Sequence, residues 1–248
     1  QGFVAQARRT RDFWAGSFLL SYLAGRAMLC VIKAGGRLVL PAAADDHGRI
    51  ADSLLEAIDK RLKGEPMQQR PAIATLPNRF QAEVPSEFDP DVCVQEIHRA
   101  WGAIADAVWR RYVAPVAVQG NGTAEIWRRQ VAGFWEISWV LGDDPGLLER
   151  RKNWRSYVPP VEDGDKCTLM GNWQELSGYV RARERPRQDA FWAALRRQVG
   201  GYELDENERL CAIALIKRLL PLVARDVLWE LPQRYPSTPY VAAVPWIK

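Results

Sequence analysis

Arg8, Arg9, Arg11 and Asp12 crowd the start of an apolar run in which a small pair, Gly16 and Ser17, interrupts the larger side chains. Apolar residues recur at Phe3, Ala7, Trp14, Phe18, Tyr22 and Leu29, which predicts one long helix with a broad buried face. Guanidinium groups near a helix start oppose the dipole by roughly 0.3–1 kcal/mol each, and a mid-helix Gly costs about 1 kcal/mol against Ala. Both features suit an anion docked near the helix start and a close packing partner at the Gly-Ser step. A solvated basic face with an Arg8–Asp12 ion pair, together with a tight helix crossing, accounts for the same residues.

Three other groups carry possible metal chemistry. Gly142-Asp143-Asp144 would be a polymerase-type carboxylate site if it joined two strands opposite a further acid. Pro145 and Gly146 follow it, however, so Asp144 also reads as the N-cap of a helix with Pro at its first position. Cys167-Thr168-Leu169-Met170 and Cys211-Ala212-Ile213-Ala214 are each half of a C-x-x-C zinc knuckle. Two thiolates and a neutral thioether do not make the four-ligand set of structural zinc, so zinc binding is not expected. Asp45, Asp46 and His47 invite a metal, but a carboxylate in a loop before a helix serves equally as a cap.

The elements that must position these groups follow in order. Gly35-Gly36 stops the first helix, Arg37 to Leu40 reads as a strand, and Ile50 to Leu62 as a short amphipathic helix. Asn78 to Val84 alternates as a half-buried strand. A helix then carries Cys93, Ile97, Trp101, Ile104, Val108 and Tyr112 on one face and ends at Pro115, with His98 a structural residue beside that stripe. Residues 119–122 read as a turn and Trp135 to Leu141 as a third strand. One strand before Gln1 would complete β-α-β-β-α-β, a ferredoxin-like palm. Beyond it, Gln188 to Val199 and Glu206 to Leu228 read as helices, the second kinked or split at Pro221. The expected fold class is therefore α+β: a palm over residues 1–142, a mainly helical region over 143–235 and an extended connector over 236–248.

The chain has 248 residues, a net charge of +4, eleven Trp and 34 Lys plus Arg. With so small a net charge, any basic partner surface must be local. Trp127-Arg128-Arg129 and Arg150-Arg151-Lys152-Asn153-Trp154-Arg155 could stack on and neutralise RNA, or lay Arg stems across Trp rings at the protein surface. Arg128, Arg129, Arg151, Lys152 and Arg155 are the candidates for RNA or subunit contact. Four scattered cysteines do not form a secreted disulfide pattern, and no signal peptide is expected. Charges and glycines interrupt the Phe13 to Ile32 stretch. The expected location is cytoplasmic, and a start at Gln1 suggests a piece of a longer polypeptide.

The run from Arg8 to Gly25 (RRTRDFWAGSFLLSYLAG) resembles the signature of the large subunit of type III-B CRISPR effectors, the Cmr class. Leu76-Pro77-Asn78-Arg79-Phe80, Phe134-Trp135-Glu136-Ile137-Ser138-Trp139, Glu208-Arg209-Leu210-Cys211 and Pro236-Ser237-Thr238-Pro239-Tyr240 are similar to that family in the expected order. The resemblance implies a guide-RNA-directed antiviral complex whose large subunit has two palms and a zinc-binding region. It also implies cyclic oligoadenylate synthesis from ATP with a divalent metal, at a Gly-Gly-Asp-Asp in a second palm outside this sequence. By the same resemblance Gly2, Arg8, Arg9, Arg11 and Ser17 approach nucleotide, the fragment itself is not catalytic, and its partners are the other effector subunits, guide RNA and target RNA. The degenerate metal position is Cys167 with Cys211. The competing readings are a stand-alone nucleotidyl cyclase or polymerase using Asp143 and Asp144, and a generic RNA-binding module.

Overall fold

The computed structural model describes residues 2–45, 47–144, 146–147, 161–236, 240 and 243–244. Helices dominate, and the described β-structure is a two-stranded antiparallel sheet, so the class is α+β. The organising element is α2 (Thr10–Lys33), packed against α3 (Ser53–Lys63), α4 (Asp91–Val108) and α8 (Ala212–Val227). It is long and apolar enough to cross a membrane by length and composition, yet most of that length is buried against the rest of the chain. An all-round apolar helix in a protein core passes the same test.

The opening helix is broken where a single one was expected. α1 covers Gly2–Ala5, the backbone leaves helical geometry after it, and α2 begins at Thr10. The physical reason is Asp12, whose carboxylate accepts the backbone N–H groups of Arg8 and Arg9 at 3.3 Å each. A carboxylate so placed satisfies free donors at a helix start. Arg8 and Arg9 therefore stand outside the helix, and only Arg11 meets the dipole cost inside it. At the other end Gly35 turns the chain at φ +81°, and the Gly36 N–H returns to Val31 O at 2.9 Å. The expected stop is there.

β1 (Arg37–Leu40) pairs with β2 (Gln81–Glu83), Arg37 opposite Glu83 and Leu38 opposite Ala82, with an irregularity before Leu40. Asp45 folds its loop by accepting from His47 and Arg49, while Asp52 caps α3 through the Leu55 N–H at 2.9 Å. The third strand expected at 135–141 has no regular secondary structure and joins no ladder among the described residues. A strand needs a neighbour about 4.8 Å away, and a groove lies between β2 and this segment.

After α4 the helix widens into a π turn (Trp109–Val113) and continues as α5 (Ala114–Ala117), so Pro115 does not end it. Pro is tolerated in a first helical turn. His98 is exposed. Residues 119–122 turn as expected and lead into a helix missing from the sequence reading, α6 (Thr123–Gly133). α7 (Arg181–Val199) starts seven residues before the expected Gln188, with a backbone kink at Glu184 just before Pro186. α8 runs unbroken through Pro221, packed on α2, α4 and α6. One cluster of buried apolar residues extends from Ala15 to Leu231, across the expected boundary at residue 142.

The joint between the two halves of the chain is tight. Asn121 N–H donates to Ser177 O at 2.7 Å, and buried Thr123 donates its hydroxyl to Leu176 O at 2.8 Å. Gly178 has φ +69°, and a Cβ there would stand 1.9 Å from Asn121 O. Gly178→Ala should lower the unfolding free energy by roughly 1–3 kcal/mol through overpacking, more with its left-handed backbone. Urea denaturation checks this, and an unchanged midpoint would mean that the joint yields freely.

Candidate functional site

The basic residues at the chain start face carboxylates of the protein itself. Arg9 donates to Tyr202 O and, at 2.8 Å, to Asp205 Oδ1. Arg11, buried, forks onto Glu203 and reaches Gln233 O. Arg8 is about half exposed and stands 3.9 Å from Glu208. The expected Arg8–Asp12 ion pair is not the partnership seen: Asp12 pairs with Arg218. Ser17 is half-buried, and Gly2 is exposed at the rim of the groove. Of the arginines assigned to nucleotide, Arg8 keeps the greatest access to solvent, and Arg11 holds the helix start to the segment after α7.

Behind them lies a charge cluster that sequence reasoning missed. Arg218 of α8 is fully buried among the likewise buried Asp12 and Glu208. Its Nε and Nη2 donate to the two oxygens of Asp12, the second at 2.7 Å. Nη1 and Nη2 donate to Glu208 at 2.9 and 3.0 Å, and Nη1 also to Glu203 O at 3.0 Å. All five guanidinium donors thus have partners. Burial opposes the charged form of Glu208; the Arg218 donors, the Asp205 N–H and the charge of Arg9 outweigh it and hold its carboxyl below the usual range. The available signal was local: Lys217 and Arg218 interrupt an apolar stripe between Ile216 and Leu219.

Lys217, also buried, donates to Phe3 O at 2.7 Å and to Gln6 O, and lies over the Phe3 ring. It thereby holds α1 across Gly16, where a Cβ would meet Lys217 Cδ and Val4 Cα at 3.2 Å each. The close approach expected at the Gly-Ser step is this crossing. Burial pulls the Lys217 ammonium down to about 8, against the opposing charge of Asp12.

α1 ends beside a groove of about 1220 Å³ between α2, β2, α4 and residues 134–144. Its inner wall includes Leu23, Ala27, Phe80, Phe88, Ile97 and Trp135, and its outer edge Glu136, Asp143 and Asp144. Phe3, Phe134, Trp135 and Trp101 form an edge-to-face aromatic group at one end. Asp144 accepts the Gly146 N–H at 2.8 Å, as a capping residue does. Among the described residues no group of three or more His, Cys, Asp or Glu converges on a metal position.

The Arg-Trp clusters divide. Trp127 is buried, so its ring is not offered to a base, whereas Arg128 is exposed. Arg129 donates to Glu162 at 2.8 Å and Gln174 at 3.0 Å. Arg151, Lys152 and Arg155 lie outside the described residues. Cys167 and Cys211 come together in the core with Met170, whose Sδ is 3.7 Å from Cys211 Sγ.

Removing one member of a buried ion cluster strands its partners, at about 3–5 kcal/mol. Arg218→Ala should cost that much by urea denaturation. Because the folded Glu208 binds its proton less readily than the unfolded one, its contribution is complete above the ordinary carboxyl value of 4.5 and disappears as pH falls through its lower folded value. The variant should therefore show a flatter acid limb in a stability-versus-pH series. Equal acid limbs would dissociate Glu208 from Arg218.

No curated protein matches the chain. Residues 1–106 match the family model described as CRISPR-associated protein Cmr2, N-terminal. They span α1 through most of α4 and include the Arg8–Gly25 run and the Leu76–Phe80 motif. Over these residues the chain is similar to the N-terminal region of Cmr2, the large subunit of type III-B CRISPR complexes.

Proposed function

We propose that the chain is the first-palm and adjoining helical portion of the large subunit of a guide-RNA-directed type III-B effector. On this reading it works in antiviral defence as scaffold and as the ATP-side partner of a second palm that makes cyclic oligoadenylates. One observation carries it: segments distant in sequence that resemble the family's motifs converge on one groove. Leu20, Leu23 and Ala24 come from the signature run, Asn78 to Phe80 from the second motif and Phe134 to Trp139 from the third. An extended segment in that groove would join β2 to residues 135–141 in a single sheet and complete the palm. ATP and a divalent metal belong to the parent protein's second palm, and guide and target RNA meet the assembled complex. Arg128 and Arg129 belong to the RNA- or subunit-facing side, in a cytoplasmic assembly.

Expression of the tagged protein with its genomic neighbours, followed by sequencing of bound small RNA, tests the assembly. Guides of uniform length, arriving with several neighbour-encoded subunits, are expected. A chain that emerges alone while its neighbours assemble without it would refute the reading.

The nucleotide side has its own test in the full-length protein. Arg8→Ala should weaken ATP binding several-fold and leave the melting temperature unchanged. Arg11→Ala should lower the melting temperature, because it strands Glu203. Unaltered ATP binding and synthesis in Arg8→Ala would remove Arg8 from the site. If synthesis instead disappears in a variant with alanine at both Asp143 and Asp144, the chemistry belongs to this chain.

A further inference from the structure

Two backbone loops wrap the buried sulfur atoms in the manner of metal knuckles. In the first, Leu169 and Met170 direct their N–H groups at Cys167 Sγ at 3.4 and 3.3 Å. The Trp173 N–H donates to Met170 O at 2.9 Å, and the Cys167 N–H to Trp173 O at 2.8 Å. In the second, Cys211 stands at the N-cap of α8 and accepts the Ala214 N–H at 3.5 Å. The Thr168 N–H joins the loops by donating to Arg209 O at 2.7 Å. Cys167, Met170, Cys211 and Ala214 are all buried.

The spacing suits a metal and the donor set does not. Tetrahedral bonds of about 2.3 Å place two ligand sulfurs about 3.8 Å apart, close to the 3.7 Å between Cys211 Sγ and Met170 Sδ. Yet the four positions supply two thiols, one neutral thioether and one methyl group. A closed zinc site takes four Cys or His ligands, and zinc with two thiolates here would leave its remaining positions facing apolar, buried atoms. The sulfurs are satisfied within the protein instead: the Cys211 thiol donates to Met170 Sδ, and the Leu169 and Met170 N–H groups point at Cys167 Sγ.

We propose that this double knuckle is a metal-free sulfur core, in which Cys167, Met170 and Cys211 hold the two loops by direct packing in the positions a zinc ion would otherwise organise. The frame keeps metal-binding geometry while lacking two ligands. Met170→Cys together with Ala214→Cys therefore supplies four thiolates at the knuckle positions.

Metal content, cobalt absorption and thermal melting of the whole chain, in natural and substituted forms, test this. After exposure to Zn(II) and removal of the excess, the natural chain should hold no stoichiometric zinc, and a chelator should leave its melting temperature unchanged. The double variant should take up one Co(II) per chain with sulfur-to-cobalt charge-transfer bands and tetrahedral visible absorption, and Zn(II) should raise its melting temperature. One equivalent of zinc in the natural chain, lost in Cys167→Ser, would overturn the proposal. So would a double variant with the natural circular dichroism spectrum that binds no cobalt. If the double variant does not fold without metal, Met170→Cys alone supplies three thiolates and decides: a tetrahedral cobalt spectrum supports the frame, and its absence refutes it.

Discussion

The structure depends on one fully buried guanidinium. Arg218 gathers Asp12 from the start of α2, Glu208 from the segment before α8 and the Glu203 carbonyl into one set of bonds. Taking such charges out of water is costly, and an apolar replacement of equal shape could be as stable. What the cluster adds is direction. A hydrophobic contact between α2 and α8 would tolerate rotation or sliding, whereas five directed donors fix the register of the two helices. Arg9 and Arg11 extend the same arrangement outward to Asp205 and Glu203, so the chain start is held by charge on several sides.

That register decides the shape of the groove. α2 supplies its inner wall, and Lys217, adjacent to Arg218, holds α1 at its rim through Phe3 and Gln6. Gly16 lets α1 approach closely enough for this contact. The signature run thus divides by face. Its arginines and Asp12 bind the helical half of the protein, while Leu20, Leu23 and Ala24 look into the groove.

Features governed by near neighbours were legible in the sequence. The Gly35 stop, β1, α3 and the close approach at Gly16 each depend on residues a few positions away, or on the absence of a side chain. Features set by distant partners were not legible. Nothing near Arg218 in sequence marks its role, because its carboxylates lie in other elements, and the burial of Trp127, which decides between the two readings of its cluster, is set by the elements packed on α6. Residues 135–141 alternate as a strand should, but alternation specifies faces and not a neighbour. α6 escaped notice because Gly122 precedes it in left-handed geometry with no side-chain cap to mark the start. The half-lost C-x-x-C pairs were visible at once, while the surviving loop geometry required the fold.

The distance along the chain between Asp12 and Arg218 is 206 residues. At synthesis rates of roughly 5–20 residues per second, about 10–40 s separate the emergence of the two. Throughout that interval α2 is apolar on nearly every side and carries a carboxylate and an arginine whose buried partners do not yet exist. Its helix can form locally, but its burial cannot be completed until α8 arrives. The nascent chain therefore exposes this helix long before α8 arrives to complete its cover, and its ribosome-bound intermediates carry apolar surface that holding factors can bind.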